Sequence, residues 1–355
     1  MSTSISRFTL LIALLFACVG AASHSDLQQK PLAAAANANV AQFSRRHRKV
    51  VPFRFFSPSS FWNRSLPTNA PLDPRSAAIV GAFAKEIAGP RGINTTAYSV
   101  PIYTVPADQP LVDITLIDPL RAPGGFALVS AWHAVPLPSN AQPAAGSDKQ
   151  LVVWQPSKDR LWEFWELSKI SNGWKAAWGG AMNRASSDPG TYGPEAWPGA
   201  TQLWGASASS LSIAGGLIRL EDLERGKIKH ALAMAIPHPR AGVYASPAKR
   251  TDGRSMESLS LPEGAHLRLD PRLDLEALHL PRLTLMIAEA AQRYGIVLRD
   301  TAGDVTFYAQ DPTPTGSEPY TGTHGYYEGE SSGRLLTSFP WSHLQLLKMK
   351  LHRVS

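Results

Sequence analysis

Short apolar and alternating segments follow one another along the chain from residue 51 onward. They are separated by prolines and glycines, of which the chain has 29 and 27. Segments of this length, rich in β-branched and aromatic residues, are typical of strands. The predicted strands are Tyr98–Val105, Leu111–Ile117, Gln150–Gln155, Leu161–Leu167, Gly173–Trp178, Lys229–Ile236, His266–Asp270, Gly295–Arg299, Val305–Gln310 and Leu344–Leu351.

Helical spacing of apolar residues occurs in only a few places. Ser76–Ala88 has this spacing and ends before Gly89. Pro281–Tyr294 begins with a proline that suits a first helical turn and is followed by Gly295. Leu220–Glu224 is long enough for one turn. Many strands with few helices predict a mainly β fold, and we expect a jelly-roll-like β-sandwich with a few short helices.

Two further features refine this expectation. The segment Asp300–Asp304 separates two predicted strands and contains Gly303, so we expect it to be the loop of a hairpin. The sequence shows no internal repeat at a fixed period, which disfavours a propeller.

The first fifty residues differ from the rest of the chain. The apolar run Phe8–Val19 follows Arg7 and precedes small residues, which predicts a signal peptide over residues 1–22. The run is shorter than the roughly 20 apolar residues of a transmembrane helix. Residues 23–50 are rich in alanine and polar residues and end in a basic cluster, which indicates a flexible tether. We therefore predict a single β-rich globular domain over 51–355, in a protein that is secreted or associated with the cell envelope.

The net charge of +7 comes mostly from that N-terminal segment. Residues 1–50 hold six basic residues and one acidic residue, so the remainder has 29 basic and 27 acidic residues. A nearly neutral domain lacks the basic excess that neutralises phosphates, which disfavours nucleic acid as a partner.

Cys18 is the only cysteine, and it lies within the predicted signal peptide. The segment Leu15–Cys18 resembles a lipoprotein box, although Phe16 is larger than the usual residue there. We favour ordinary cleavage near Ala21, and a membrane contact is expected only through lipidation at Cys18. The mature protein then has no disulfide and no catalytic thiolate.

Tryptophan is concentrated in the middle of the chain. Dense indole rings pack either into a sandwich core or along a cleft in which sugar rings stack on them. We predict Trp162, Trp165 and Trp178 as candidate sugar-binding residues. Seven of the ten tryptophans lie between residues 154 and 204, namely Trp154, Trp162, Trp165, Trp174, Trp178, Trp197 and Trp204.

The predicted strand Leu161–Leu167 carries two glutamates among these indoles. Alternation places Glu163 and Trp165 on one face and Trp162 and Glu166 on the other. A carboxylate against apolar surface has a raised pKa, as a general acid requires. We predict Glu163 as the acid or base of a cleft, and the alternative is a surface strand with both glutamates in water.

His230 and Asp148 are the other candidate catalytic residues. His230 lies among large apolar residues and is either a hydrogen-bonded core residue or an acid, base or ligand in the cleft. Asp148 precedes a predicted strand and is either a turn residue or a partner of Glu163. A lyase would instead combine His230 with Tyr308 and Arg299, which could shuttle a proton and neutralise a uronate.

Motifs for metals and cofactors are missing from the sequence. There is no His-Glu-x-x-His, no phosphate-binding loop and no Gly-x-Gly-x-x-Gly before a helix. We therefore predict no metal site and no cofactor.

Several segments together resemble a group of secreted bacterial β-rich proteins of unassigned activity. The resemblance covers roughly residues 51–352 and implies export and a single domain, and it implies no catalytic residues. The segments that carry it are Ser147–Asp148, Trp162–Trp165, Gly215–Leu223, Lys229–Ala233, Arg268–Pro271 and Ala291–Asp300.

These observations lead to one functional expectation with two alternatives. We expect a secreted glycan-active enzyme, either a polysaccharide hydrolase or a lyase, with a tryptophan-lined cleft for polysaccharide or a cell-envelope glycan. The first alternative is a non-catalytic carbohydrate-binding or cell-envelope-associated protein. The second is a structural exported protein whose tryptophans all lie in the core.

Overall fold

The computed structural model describes residues 54–120 and 123–354, which all belong to the unit that runs from Phe53 to Ser355. The predicted signal peptide, the tether and Cys18 lie outside the described residues. Among the described residues, no helix is both long enough and apolar enough to cross a bilayer.

Strands outnumber helices throughout the described chain. The strands are β1 (Arg91–Asn94), β2 (Val100–Thr104), β3 (Ile114–Leu116), β4 (Leu151–Gln155), β5 (Arg160–Trp165), β6 (Ser168–Ile170), β7 (Gly173–Ala176), β8 (Trp178–Asn183), β9 (Leu232–Ile236), β10 (Val243–Ala245), β11 (His266–Leu269), β12 (Ile296–Thr301), β13 (Val305–Tyr308), β14 (Gln310–Asp311), β15 (Leu344–Leu346) and β16 (Leu351–Arg353). The α-helices are α1 (Ser76–Ile87), α2 (Gly125–Ala131), α3 (Leu220–Arg225), α4 (Arg282–Arg293) and α5 (Ser332–Leu335).

The strands form two larger sheets and two small ones. The six-stranded sheet has the order β1-β13-β9-β12-β11-β15, and the five-stranded sheet has the order β14-β2-β4-β5-β8. The small sheets are β3-β7-β6 and β10-β16. The described part of the chain is therefore mostly sheet with a few short helices and no barrel, and the predicted mainly β fold is confirmed.

The jelly-roll arrangement is not confirmed. A jelly roll is built from antiparallel strands, whereas β1 runs parallel to β13, β12 parallel to β9, and β2 parallel to both β14 and β4. Parallel neighbours require long connections between them, and these connections carry many of the loops around the pocket described below.

The predicted hairpin between β12 and β13 is wrong. The two strands do not pair with each other, because β9 lies between them in the six-stranded sheet. β9 is parallel to β12 and antiparallel to β13. The segment after Asp300 is thus a connection across β9, and Asp300 itself lies within β12 next to an irregularity in its pairing.

The three predicted helices form as α1, α3 and α4, whereas α2 and α5 were not predicted. α1 buries Ile79, Phe83 and Ile87 on one face. α4 begins directly after Pro281, and Gly295 follows it with φ of +90°, a conformation that suits glycine. α1 packs beside β15, and α4 packs beside β11.

Two hydrophobic clusters form the core. One surrounds the five-stranded sheet and contains most of the clustered tryptophans, with Trp154, Trp162, Trp174 and Trp204 buried. The other lies on the six-stranded sheet, where α1 and α4 cover it. Most of the indoles therefore serve packing, and Trp165 and Trp197 are the two in this group that are half-buried.

Candidate functional site

Two tryptophans stand side by side at one end of the five-stranded sheet. Trp165 ends β5 and is directly opposite Trp178, which begins β8. Cross-strand partners in an antiparallel pair point to the same face, so the two indoles share one surface. Trp178 donates its indole N–H to the carbonyl of Leu203 at 3.0 Å, and the Trp165 indole N–H lies 3.5 Å from Asp148 Oδ1.

These indoles line a half-open pocket of about 530 Å³. This volume lies within the range of small-molecule sites, roughly 300–1,000 Å³. Three of the predicted site residues, Asp148, Trp165 and Trp178, meet here. The lining residues are Asp148, Gln150, Trp165, Trp178, Ala206, Ser207, Ala208, Arg250, Thr251, Asp252, Asp300 and Thr301.

Two members of a carboxylate cluster, Asp252 and Asp300, also line the pocket. One oxygen each from Asp252, Glu263 and Asp300 lies within 4.8 Å of the others. Asp300 comes from the end of β12, Asp252 from the loop after β10, and Glu263 from the segment before β11. These three residues are the described ones that could hold a metal ion, whereas the sequence predicts no metal site.

Hydrogen bonds hold the carboxylates in place. The Thr301 hydroxyl donates to Asp252 Oδ1 at 2.6 Å, and the backbone N–H of Asp252 donates to Glu263 Oε2 at 3.2 Å. Asp300 accepts from the backbone N–H of Thr301 at 3.0 Å and from that of Ala208 at 3.4 Å. The cluster is therefore fixed to three separate backbone segments.

Burial and mutual repulsion raise the pKa of two carboxyl groups of the cluster. Burial raises the pKa of Glu263 well above its ordinary value, and the charges of Asp300 and Asp252 add to the rise. Burial also raises the pKa of Asp300, although the Arg299 guanidinium acts in the opposite direction. Like charges at this separation in a desolvated site disfavour full ionisation.

Arg250 is the basic residue in the pocket wall. Its Nη2 donates to the carbonyl oxygens of Gly205 and Ser207 at 3.1 and 2.7 Å. Within the described chain Arg250 makes no ion pair with the three carboxylates. Arg250 therefore holds the loop that begins at Gly205. It acts on the charge of the carboxylate cluster only through longer-range electrostatic interaction.

The placement of Glu163 corrects its predicted catalytic role. Glu163 has no exposed surface and does not line the pocket, because the segment Ala206–Ile213 covers it. Its carboxylate accepts from the backbone N–H of Ala206 at 2.7 Å, the Ser212 hydroxyl at 2.6 Å and the backbone N–H of Ile213 at 3.1 Å. Burial raises its pKa, as the sequence predicts, but the side chain holds a loop and cannot reach a ligand.

His230 also lies away from the pocket. Its Nε2 is 2.9 Å from Asp222 Oδ2, and its Nδ1 is 2.9 Å from the carbonyl of Ala231. Asp222 is buried in α3, and the charge of His230 helps to lower its pKa against the opposing effect of burial. His230 lines a small separate cavity near Trp62, so the prediction that it joins Asp148 in one cleft is wrong.

Trp162, Arg299 and Tyr308 are core residues. The Trp162 indole N–H donates to the carbonyl of Ala131 at 3.0 Å, and its ring is buried. The Arg299 guanidinium lies 3.8 Å from the centre of the Tyr308 ring and donates to the carbonyls of Ile213 and Gly215. Arg299 and Tyr308 are buried, so the prediction that they contact substrate is wrong.

Sequence reasoning missed Asp252, Glu263 and Arg250. All three lie in the connection between β10 and β11, which has no periodic pattern, and nothing in the sequence indicates that this connection meets Asp300. Asp300 offered one signal, an acidic residue near the end of an apolar strand, but it falls in the segment that the sequence predicts as a hairpin loop.

No protein-family model, no curated protein and no solved structure matches this chain. The resemblance to secreted bacterial β-rich proteins therefore stays a prediction. The chemistry of the pocket is the basis on which a function can be proposed.

Proposed function

We propose that the protein acts on carbohydrate in the pocket between Trp165 and the carboxylate cluster. The observation that carries this proposal is the cross-strand pair Trp165 and Trp178 at the wall of a half-open pocket. Indole faces are rigid apolar platforms, and the apolar C–H faces of a sugar ring pack against them.

The polar residues of the pocket suit sugar hydroxyls. Asp148 is half-buried beside the Trp165 indole, where its free oxygen can accept a hydrogen bond. Gln150 is 1% exposed, and its amide oxygen has no hydrogen-bond partner in the protein. A buried acceptor without a donor is unfavourable unless a ligand or water supplies one. A polyhydroxylated ligand would supply such donors.

Cleavage of the bound glycan is the second candidate function. Glycoside hydrolysis uses a pair of carboxylates on either side of the scissile bond. Among the predicted catalytic residues only Asp148 reaches the pocket, and Asp252 and Asp300 line it as well. The lyase alternative has less support, since His230, Tyr308 and Arg299 lie elsewhere.

A glycan panel tests the proposal with a matched pair of tryptophan variants. Trp165→Ala removes a half-buried indole that lines the pocket, and Trp197→Ala removes one that is half-buried and packs against Trp162 instead. A stacking contact worth about 1.5 kcal/mol corresponds to an approximately tenfold loss of affinity. We expect that loss for Trp165→Ala and wild-type affinity for Trp197→Ala, measured by titration calorimetry.

Two readouts on the same panel separate binding from cleavage. Reducing-end release reports hydrolysis, and ultraviolet absorbance of unsaturated products reports a lyase. Binding without product supports the non-catalytic alternative. Equal affinity of Trp165→Ala and wild type for every bound glycan contradicts the proposal, as does a wild type that binds none.

The finer predictions about location and fold remain proposals. The run Phe8–Val19 supports export, and a secreted or envelope-associated protein would meet a polysaccharide or cell-envelope glycan as its partner. The jelly-roll arrangement has only the abundance of short strands in its favour.

A further inference from the structure

We propose that Asp252, Glu263 and Asp300 form a binding site for one divalent cation of the Ca²⁺ type. The site lies in the wall of the same pocket, but its existence does not depend on carbohydrate binding. Three observations carry the inference: the spacing of the oxygens, a buried acceptor without a partner, and the lack of a compensating ion pair.

The spacing of the oxygens suits a hard cation. Ca²⁺ binds oxygen ligands at about 2.4 Å, so two ligands on opposite sides of the ion are about 4.8 Å apart. The three carboxylate oxygens lie within that distance of one another. Carboxylates are the ligands that Ca²⁺ and Mg²⁺ prefer, whereas softer metals favour sulfur and imidazole.

Glu263 supplies the observation that points to a ligand. Its side chain is 0% exposed, and its Oε1 has no hydrogen-bond partner. The Thr251 side chain lies near enough to oppose the rise in the Glu263 pKa, but it does not come within hydrogen-bonding geometry of Oε1. A buried carboxylate oxygen without a donor is costly, and a bound cation would satisfy it.

Within the described residues no ion pair neutralises the cluster. Arg250 directs Nη2 to backbone carbonyls, and in the described chain no lysine or arginine pairs with Asp252, Glu263 or Asp300. Gln150 adds a second buried oxygen without a partner, its amide oxygen, at the same pocket. Buried oxygens without donors are expected of a cation site in the absence of its ion.

The cluster is also accessible and held in position. Asp252 is exposed to solvent, which gives an ion a route of entry and leaves room for water ligands. The contacts of Asp252 with Thr301 and Glu263 hold the ligand groups before an ion arrives. A preformed site of this kind loses little conformational freedom on binding.

The test uses the full chain, stripped of metal with a chelator and then dialysed. Titration calorimetry with CaCl₂ and with MgCl₂ measures the affinity of each ion, and we expect a Kd of about 10⁻⁵ to 10⁻³ M for Ca²⁺. Terbium provides an independent readout, because Trp165 and Trp178 lie at the same pocket and can sensitise its luminescence. Thermal unfolding should shift to higher temperature when Ca²⁺ is added.

Matched variants decide whether the proposed residues bind the ion. Asp252→Asn changes an exposed ligand and should weaken Ca²⁺ binding at least about tenfold, the effect of one lost charged contact. Glu263→Gln should also weaken Ca²⁺ binding. Asp108→Asn is the control, because it makes the same type of change at an exposed acid outside the pocket, and it should leave Ca²⁺ binding unchanged.

Because Asp252 is exposed, its variant remains informative even if Glu263→Gln does not fold. The proposal is overturned if wild type binds neither ion at 10 mM, a concentration about tenfold above the weakest expected Kd. It is also overturned if Asp252→Asn binds Ca²⁺ as tightly as Asp108→Asn does.

Discussion

Glu163 shows how a single residue can have the predicted environment and a different role. Its face of β5 and its raised pKa follow from the alternation of the strand and from burial. The groups that surround it are two backbone N–H donors and the Ser212 hydroxyl from a distant loop. Glu163 is therefore a positioning residue for the segment Ala206–Ile213, part of which lines the pocket.

Glu163→Gln tests this role. A glutamine amide offers one acceptor oxygen in place of two and brings an NH₂ group against a backbone N–H, so at least one donor loses its partner. We expect a loss of about 1–3 kcal/mol in the free energy of unfolding, measured with urea. Glu195→Gln, at an exposed glutamate, should leave stability within about 0.5 kcal/mol of wild type. Equal stability of both variants would contradict the positioning role.

The pairing of β5 with β8 determines the geometry of the tryptophan wall. Gly179 and Gly180 of β8 lie opposite Phe164 and Glu163. A Cβ on Gly179 would lie 2.0 Å from the carbonyl oxygen of Glu163. The close approach of the strands, which brings Trp165 beside Trp178, therefore requires glycine at this position.

Gly179→Ala should push β5 and β8 apart. We expect a loss of at least about 2 kcal/mol in the free energy of unfolding, because the backbone of β5 would have to move. Gly81→Ala is the matched control: Gly81 lies within α1 with nothing within 4 Å of its added Cβ, and alanine there should stabilise by about 0.5–1 kcal/mol. Denaturant unfolding measures both, and the same sign of effect for both variants would contradict the argument.

At the scale of the whole molecule, buried ionisable groups make stability depend on pH in opposite directions. Burial lowers the pKa of His266 to about 4, from an unfolded value of about 6.5. Burial raises the pKa of Asp188 to about 6, from an unfolded value of about 3.8. Stability falls with acidification where the unfolded state binds more protons, and rises where the folded state does.

His266→Gln isolates the first effect. Between pH 6.5 and 4 the unfolded chain protonates this histidine and the folded chain does not, so wild type loses up to about 3 kcal/mol of stability over that window. The variant lacks this loss and should show a flatter dependence in urea unfolding at pH 7, 5.5 and 4.5. Asp188→Asn should have the opposite effect. Asp188 stabilises the wild type fully below pH 3.8, and this stabilisation is lost as the pH rises through 6. The variant lacks it and should therefore lose stability relative to wild type on acidification. Parallel curves for wild type and His266→Gln would contradict the assignment.

Local patterns in the sequence were sufficient to predict the separate elements. Helices α1 and α4 and strands β4 and β5 lie close to their predicted bounds, because helical spacing, strand alternation, proline and glycine act within a few residues. The same patterns identified Trp165, Trp178 and Asp148, which lie at the ends of strands or directly before them. Such positions are set by the local chain, and they leave Trp165 and Asp148 half-buried while Trp178 is buried.

Only the tertiary structure decided how the elements meet. The insertion of β9 between β12 and β13 and the loop that covers Glu163 depend on contacts between residues far apart in the chain. The convergence of Asp252, Glu263 and Asp300 has the same origin, since the first two come from the connection between β10 and β11 and the third from β12. Alternation tells which face of a strand a side chain occupies, but long-range packing determines whether core, loop or solvent lies against that face.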